Sequence, residues 1–136
     1  MSTVAKQIEQ FLAAPAFGVA GASTNRDKYG NKVLRCYQQA GRKVIPINNR
    51  TQTIEGLACV NSVLDLPSEV TSLSIITPPQ ITEQVVEQAV VKGIEHIWMQ
   101  PGAESAAAVQ MCRDNGINVI ADGSCLLVIL HYSEGH

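Results

Sequence analysis

The residues best suited to chemistry in this chain follow an apolar run that ends in glycine. Phe17–Ala20 is apolar, Gly21-Ala22-Ser23 breaks the run, and the cations Arg26 and Lys28 come just before a predicted helix. A strand that leads through a glycine turn into a helix gathers free backbone N–H groups and a helix N-terminus around one spot, which favours an anion. With two cations beside it, this spot predicts a phosphate-binding loop.

The end of the second predicted strand indicates which nucleotide suits such a loop. Asn48-Asn49-Arg50 places two neutral amides and a cation where NAD-binding proteins carry an acid for the ribose hydroxyls. This disfavours NAD and favours a nucleotide with an extra ribose phosphate, either NADP or coenzyme A. The fingerprint G-x-G-x-x-G adds little, because started at Gly21 it finds Ser23 and Arg26 where two glycines belong.

A proline pair follows the fourth predicted strand. In Thr77-Pro78-Pro79 the prolines can hold a loop rigidly extended and offer an apolar surface without N–H groups, on which a purine ring can rest. The same pair is also typical of a strand that stops and a helix that begins. From the residues alone, both interpretations stay open.

Composition places the chain among compact globular proteins and limits its partners. With 136 residues, 46% of them apolar and 16% charged, the chain predicts a single domain over residues 1–136. An aromatic share of 4% leaves few surfaces on which single-stranded nucleic acid could stack. No apolar run approaches the ~20 residues that cross a bilayer. We therefore expect no nucleic-acid partner and no membrane association.

The charged residues are unevenly distributed along the chain. Seven of the ten Lys and Arg residues lie between residues 11 and 54, where Asp27 is the only acid. This asymmetry predicts an anionic ligand on the first third of the chain, with a solvated basic helix face as the alternative.

The cysteines bear on location and on metal binding. They are Cys36, Cys59, Cys112 and Cys125. Their wide spacing, without a CxxC pair, argues against a zinc site and predicts the reduced thiols of a cytoplasmic protein.

Hydrophobic periodicity predicts alternating strands and helices. Helices are expected over 3–13, 29–39, 82–92 and 105–115, the last with Ser105 as its N-cap. Strands are expected near 16–20, 43–47, 57–60, 72–77, 95–99 and 118–121. Glycine ends three helical segments just before a strand, which is typical of parallel βα units. We predict an α/β fold: a doubly wound, mostly parallel, Rossmann-like sheet with helices on both faces and the first strand at its centre.

Several short motifs, in order along the chain, resemble those of a known family. They are Gly21-Ala22-Ser23, Lys28, Val44–Asn48, Ile54–Gly56, Thr77-Pro78-Pro79, Trp98–Gly102, and Cys125 with His131. From about residue 14 to residue 131 the chain resembles the small bacterial and archaeal CoA-binding proteins. The same fold is similar to the N-terminal CoA-binding domain of the succinyl-CoA synthetase alpha subunit. The resemblance implies a ligand, coenzyme A or acyl-CoA.

The resemblance also implies a set of cofactor-binding residues. They are Gly21, Ala22, Ser23, Arg26, Lys28, Asn48, Arg50, Thr77, Pro78, Pro79, Gln100 and Gly102. Gly21, Ala22 and Ser23 would wrap the pyrophosphate. Arg26 and Lys28 would neutralise phosphates, and Asn48 with Arg50 would lie near the ribose phosphate. Thr77, Pro78 and Pro79 would flank the adenine or the pantetheine, and Gln100 with Gly102 would border the thiol end. The family commonly has proline where this chain has Asn49.

Residues for catalysis do not assemble into a recognisable pattern. Ser23 has no His–Asp arrangement at hand, and Cys125 has an acid but no cation near it in sequence. His131 is typical of a packing or capping histidine, His96 opens a strand, and His136 lies in the tail. We expect no catalytic residue, no metal site and no enzyme activity.

Three hypotheses about function follow. The first is non-catalytic binding of coenzyme A or acyl-CoA. The second is an enzyme, either an NADP-dependent oxidoreductase or a CoA-ligase subunit that requires a partner chain. The third is a regulatory protein that uses the ligand as its signal. Beyond the small nucleotide cofactor, a homo-oligomer and an unidentified protein partner both stay open.

Overall fold

Parallel strands form the centre of the molecule. The computed structural model describes residues 3–134, and in that range the main sheet contains, in spatial order, β2 (Val44–Ile47), β1 (Ala16–Ala20), β5 (Val70–Ile75), β6 (His96–Met99) and β7 (Asn118–Ile120). Each neighbouring pair is parallel. The α/β, Rossmann-like prediction is confirmed.

The helices lie close to their predicted positions. They are α1 (Val4–Leu12), α2 (Tyr29–Gln39), α3 (Pro79–Lys92), α4 (Ala106–Asp114) and α5 (Leu126–Ile129), and a 3-10 turn covers Val63–Asp65. Helix α3 begins at Pro79, earlier than the predicted residue 82, because proline fits a first helical position, where no N–H is needed. The hydroxyl of Ser105 accepts a hydrogen bond from the Ala108 amide and caps α4 as predicted.

The strand predicted at 57–60 is not a strand of the main sheet. β3 (Thr53–Ile54) and β4 (Leu57–Ala58) pair with each other in an antiparallel hairpin. Glu55 and Gly56 both have positive φ, 50° and 78°, and this tight turn reverses the chain before it can join the sheet. Val60, just after β4, forms one parallel bridge to Ile47 of β2.

The chain reverses its winding direction between β1 and β5. After β1 the chain places β2 on one side, and it then crosses to place β5 on the other side. The first strand is therefore next to the edge strand β2, and β5 takes the central position that was predicted for β1. Loops that leave two adjacent strands in opposite directions open a crevice at their carboxyl ends.

Two apolar layers hold the helices against the sheet. Helices α3 and α4 cover one face with buried residues such as Val86 and Cys112. Helices α1, α2 and α5 cover the other face, where Phe17 and Tyr37 stack with ring centroids 4.8 Å apart. Phe11 and Trp98 form a T-shaped pair on the same face, with ring centroids 5.4 Å apart. With both faces covered, the sheet strands are nearly continuous in apolar character.

The buried serines of β5 are each satisfied by a partner. Ser72 donates its hydroxyl to the Phe11 carbonyl oxygen at 2.7 Å, which ties the end of α1 to the sheet. Ser74 shares a 2.6 Å hydrogen bond with the Tyr37 hydroxyl, and both residues are fully buried. A buried hydroxyl that loses its partner keeps its desolvation cost.

We expect Tyr37→Phe to lower the free energy of unfolding by about 1–3 kcal/mol, because the Ser74 hydroxyl then lacks a buried partner. In the double variant Tyr37→Phe/Ser74→Ala, the loss should be smaller than the sum of the two single losses. Urea unfolding of the four proteins measures both effects. Tyr132→Phe is the matched control, since its hydroxyl bond is exposed. Strict additivity of the two buried changes would contradict the pairing.

Candidate functional site

A crevice of about 810 Å³ opens at the carboxyl ends of β1, β2 and β5. We call the segment Gly21–Lys28 after β1 the glycine loop, and its residues Gly21, Ala22, Ser23 and Lys28 line the crevice. Eight of the predicted cofactor-binding residues line the crevice: Gly21, Ala22, Ser23, Lys28, Asn48, Arg50, Thr77 and Pro78. The volume falls within the range of ordinary small-molecule sites, about 300–1,000 Å³.

Two glycines allow the backbone to pack tightly at the floor of the crevice. Gly21 has φ +93°, and a Cβ there would lie 3.0 Å from the Ile76 carbonyl carbon. Gly30, in the first turn of α2, approaches even more closely, since its Cβ would lie 2.0 Å from the Gly21 carbonyl oxygen. Sequence reasoning missed Gly30, although a glycine for close helix packing is part of the dinucleotide fingerprint. Here that glycine stands further along the chain than the fingerprint spacing allows.

The N-terminus of α2 faces the crevice. Lys28 occupies the N-cap position with an extended backbone, and Tyr29 and Gly30 follow it along the crevice wall. In the described chain, the Lys28 side chain makes no capping hydrogen bond and the first turn contains no acid. The first N–H groups of a helix have no intrahelical partner, and the helix dipole makes this end positive. An anion would therefore be stabilised here.

Lys28 and Arg50 are the cations that face the crevice. Both are exposed, and neither forms an ion pair with an acid among the described residues. The other cations of residues 11–54 are held elsewhere: Arg26 by Glu55, Lys32 and Arg35 by Glu134, Lys43 by Glu69, and Arg42 by the Leu12 carbonyl. The basic surplus of this stretch is thus partly neutralised by acids from later in the chain, and positive charge without a partner remains at the crevice.

Asn48 connects two loops of the crevice. Its amide nitrogen donates to the Ala22 carbonyl oxygen at 3.0 Å. Its amide oxygen accepts from the backbone of Arg50 at 2.7 Å and of Thr51 at 3.2 Å. These bonds fix the glycine loop relative to the loop that carries Arg50. The structure therefore shows a bridging role for Asn48, which sequence reasoning did not anticipate.

Large apolar side chains line the wall of the crevice toward α3, and Gln84 and Gln88 lie among them. Ile47, Val63 and Ile76 line it, and the face of α3 that carries Ile81 and Val85 continues it. Ile81 keeps 43% of its surface exposed although it is apolar. The periodicity that predicted this helix does not show which surface these residues face, because an apolar stripe has the same spacing whether it faces the core or a crevice.

Four predicted cofactor-binding residues do not line the crevice. Arg26 is 64% exposed and pairs with Glu55, its Nε 3.7 Å from Oε2. Pro79 is exposed in the first turn of α3, and Gly102 is exposed with its amide bound to Glu104. Their roles toward a cofactor stay predictions.

The fourth of these residues, Gln100, is fully buried below the crevice. Its amide oxygen accepts from the Tyr29 hydroxyl at 3.0 Å and from the Leu126 amide at 2.9 Å. Its amide nitrogen has no partner among the described residues. The Tyr29 hydroxyl also lies 2.6 Å from the Cys125 sulfur. Burial, followed by this hydrogen bond, raises the pKa of Tyr29 well above its ordinary value, so the phenol stays protonated.

The histidines lie away from the crevice lining. His131 is exposed, with φ +56°, and His96 sits at the opposite end of the sheet, where burial lowers its pKa. His136 lies outside the described residues. Between residues 3 and 134, no group of three or more His, Cys, Asp or Glu side chains is placed to hold a metal ion. None of the helices in that range has the length and apolar character needed to cross a bilayer.

The fold and the crevice define a Rossmann-like protein with a basic site at its switch point. A sequence model of the CoA-binding domain matches residues 16–131, which is most of the chain. The chain belongs to the CoA-binding domain family, and the resemblance predicted from its motifs is confirmed.

Individual relatives span a range of sizes. The chain is 28% identical over 91 residues to the alpha subunit of acetate–CoA ligase [ADP-forming] II from Pyrococcus furiosus, covering 66% of this chain but 20% of the subunit. It is 25% identical over 104 residues to the uncharacterized protein YneT of Bacillus subtilis, covering 76% of this chain and 77% of YneT. A solved structure, a conserved hypothetical protein from Pyrococcus furiosus, matches with a TM-score of 0.80 at 36% identity, covering 84% of this chain and 97% of that one.

We expect Gly30→Ala to lower the free energy of unfolding by about 1–3 kcal/mol, because the added methyl group would meet the backbone oxygen of Gly21. Gly18→Ala is the control, since its methyl group would meet the flexible ends of Leu66 and Leu73 at 3.1 Å. Urea unfolding measures both variants. A Gly30→Ala protein no less stable than the Gly18→Ala protein would contradict the close approach of α2 to the glycine loop.

Proposed function

We propose that this protein binds coenzyme A or acyl-CoA in the crevice without turning it over. The observation that carries the proposal is the N-terminus of α2, which has no side-chain cap, together with Lys28 and Arg50, two cations without acidic partners among residues 3–134. Coenzyme A carries a pyrophosphate and a ribose phosphate, and separated cations around a helix N-terminus suit such a ligand. The family to which the chain belongs supports the same ligand.

The geometry supports an arrangement of the ligand along the crevice. The pyrophosphate would lie on Gly21–Ser23 and the first amides of α2, with Lys28 beside it. The ribose phosphate would lie at the loop that carries Arg50. The adenine or the pantetheine would rest on the apolar wall near Pro78 and Ile81. Gln100 and Gly102 remain candidates for the thiol end, and Arg26 and Pro79 would contribute from the rim.

The absence of turnover is part of the proposal. The Tyr29 phenol stays protonated, and burial raises the pKa of the Cys36 thiol to about 11, so neither group is available as an anion near neutral pH. All four cysteines are free thiols, which fits the predicted cytoplasmic location.

A CoA-ligase subunit is the second candidate function. The similarity to the acetate–CoA ligase alpha subunit favours it, and the chain spans 20% of that subunit. A subunit of this kind would need a partner chain for the remaining chemistry. Acyl-CoA formation from acetate, ATP and coenzyme A by the purified chain alone would contradict the non-catalytic proposal, whereas activity restored by a co-purifying chain would favour the ligase subunit.

Calorimetric titration with coenzyme A, dephospho-CoA and NADP tests the ligand directly. We expect coenzyme A to bind more tightly than dephospho-CoA, because the latter lacks the ribose phosphate that Arg50 would contact. Tight binding of NADP and none of coenzyme A would favour the oxidoreductase hypothesis. No detectable binding of coenzyme A would overturn the proposal.

We expect Lys28→Met and Arg50→Met each to weaken coenzyme A binding roughly tenfold, since each removes a charged contact at an exposed site. Arg50→Met should also reduce the difference between coenzyme A and dephospho-CoA, whereas Lys28→Met should keep it. Lys43→Met is the matched control, because this exposed cation pairs with Glu69 away from the crevice. Arg26→Met should weaken binding less than Lys28→Met, because Glu55 already holds Arg26. Equal losses in the Lys43 and Lys28 variants would contradict direct contact.

A further inference from the structure

Two side chains of α2 hold the glycine loop from behind the crevice. Asn31 is fully buried, and its amide nitrogen donates to the Ser23 carbonyl oxygen at 2.8 Å. Arg35, one helical turn further on, donates through Nη2 to the Arg26 carbonyl oxygen at 2.7 Å. The two side chains are also joined, since Arg35 Nε donates to Asn31 Oδ1 at 2.7 Å. Neither Asn31 nor Arg35 belongs to the crevice lining.

These bonds determine which backbone groups the glycine loop can present to an anion. A trans peptide group points its C=O and its N–H in opposite directions. Because the Ser23 and Arg26 carbonyl oxygens are bound to α2, these negative ends of the peptide dipoles are held away from a bound phosphate. Asn48 binds the Ala22 carbonyl in the same way. The orientation of the loop therefore depends in part on Asn31 and Arg35, two donors that lie outside the crevice lining.

Arg35 is itself held by the end of the described chain. We call residues 132–134 the C-terminal segment. Glu134 accepts hydrogen bonds from Arg35 Nη1 at 3.4 Å and from the Tyr132 hydroxyl at 2.7 Å, and Lys32 Nζ lies 3.2 Å from its other oxygen. The Arg35 guanidinium lies 5.7 Å from the centre of the Tyr132 ring. With these contacts around it, the Arg35 side chain is only 13% exposed.

A second pair of bonds fixes the C-terminal segment to the end of α2. The Gln39 amide nitrogen donates to the Ser133 carbonyl oxygen at 2.7 Å, and the Ser133 amide donates back to Gln39 at 3.1 Å. A continuous set of contacts thus runs from Ser133 and Glu134 through Arg35 to the Arg26 carbonyl in the glycine loop.

We propose that Arg35 is a positioning residue for the glycine loop, and that the C-terminal segment keeps this loop in its binding conformation through Arg35. The inference rests on the proposed function, since it concerns the loop on which the cofactor phosphates would lie. A loop that is ordered before binding loses less conformational entropy when the ligand arrives. The C-terminal segment thereby controls affinity from outside the crevice.

The chain offers a matched control for this role. Lys32 lies on the same helix and also pairs with Glu134, but among the described residues its side chain makes no hydrogen bond to the glycine loop. Lys32→Met therefore removes the same charge at a similar place without removing a loop bond. Arg35→Lys is the complementary variant: it keeps the charge, but an ammonium group cannot reproduce the planar fork that reaches Asn31, Arg26 and Glu134 together.

Two measurements on the full chain test the proposal. Hydrogen exchange without ligand reports the order of residues 22–27, and calorimetric titration reports the affinity for coenzyme A. We expect Arg35→Lys to speed exchange in the glycine loop, to leave exchange in β5 and β6 unchanged, and to weaken coenzyme A binding roughly tenfold. Glu134→Gln should produce the same pattern in weaker form, and Lys32→Met should leave loop exchange and affinity within about twofold of wild type.

The proposal is overturned if Arg35→Lys has the loop exchange and the coenzyme A affinity of wild type. It is also overturned if Arg35→Lys and Lys32→Met change loop exchange and affinity equally, because the effect would then not depend on the bonds that Arg35 makes to the loop. If wild type does not bind coenzyme A, the proposed function fails, and loop exchange by itself then decides the positioning role. If Arg35→Lys does not fold, the exposed Glu134→Gln variant replaces it: faster loop exchange supports the proposal, and unchanged exchange overturns it.

Discussion

The close approach of α2 to the end of β1 is the contact on which the site depends. Gly30 lies against the Gly21 carbonyl oxygen at a distance that admits no side chain. That approach directs the N-terminus of α2 into the crevice, with Lys28 and Tyr29 along its wall. A helix displaced by even one methyl group would carry its free N–H groups away from the glycine loop. The electrostatics of the crevice therefore rest on a steric condition.

Ion pairs with acids from later segments neutralise most of the cations in residues 11–54. Glu55, Glu69 and Glu134 come from three later segments, and each pairs with a cation of the basic stretch. Surface pairs of this kind contribute little to stability, about 0–1 kcal/mol each. Their effect on the electrostatic potential of the crevice is larger. Among the described residues, Lys28 and Arg50 line the crevice and have no acidic partner, while the other cations of this stretch are bound elsewhere. Of these pairs, Arg35 with Glu134 also connects to the glycine loop, because Arg35 donates a hydrogen bond to the Arg26 carbonyl oxygen.

Local patterns predicted most of the fold. Helix α2 has the bounds that its periodicity predicted, and Ser105 caps α4 as its residue type predicted. The prediction failed at 57–60, where the apolar residues were the arm of a hairpin. Glu55 and Gly56 both adopt positive φ in the turn of that hairpin. Gly56 is typical of such a turn, as the segment Ile54–Leu57 indicates, whereas Glu55 rarely adopts positive φ and its residue type carries little signal of it.

The sequence by itself determined the glycine turn after β1, the cations at Lys28 and Arg50, and the order of strands and helices, because each depends on neighbours within a few residues. The tertiary structure alone decided that Gly30 is the close-packing glycine, that Arg26 is turned to Glu55, and that Arg35 is linked to Glu134. These outcomes depend on contacts between segments far apart in the chain. Side chains of one type are interchangeable in a sequence pattern, and only packing determines which of them meets a partner.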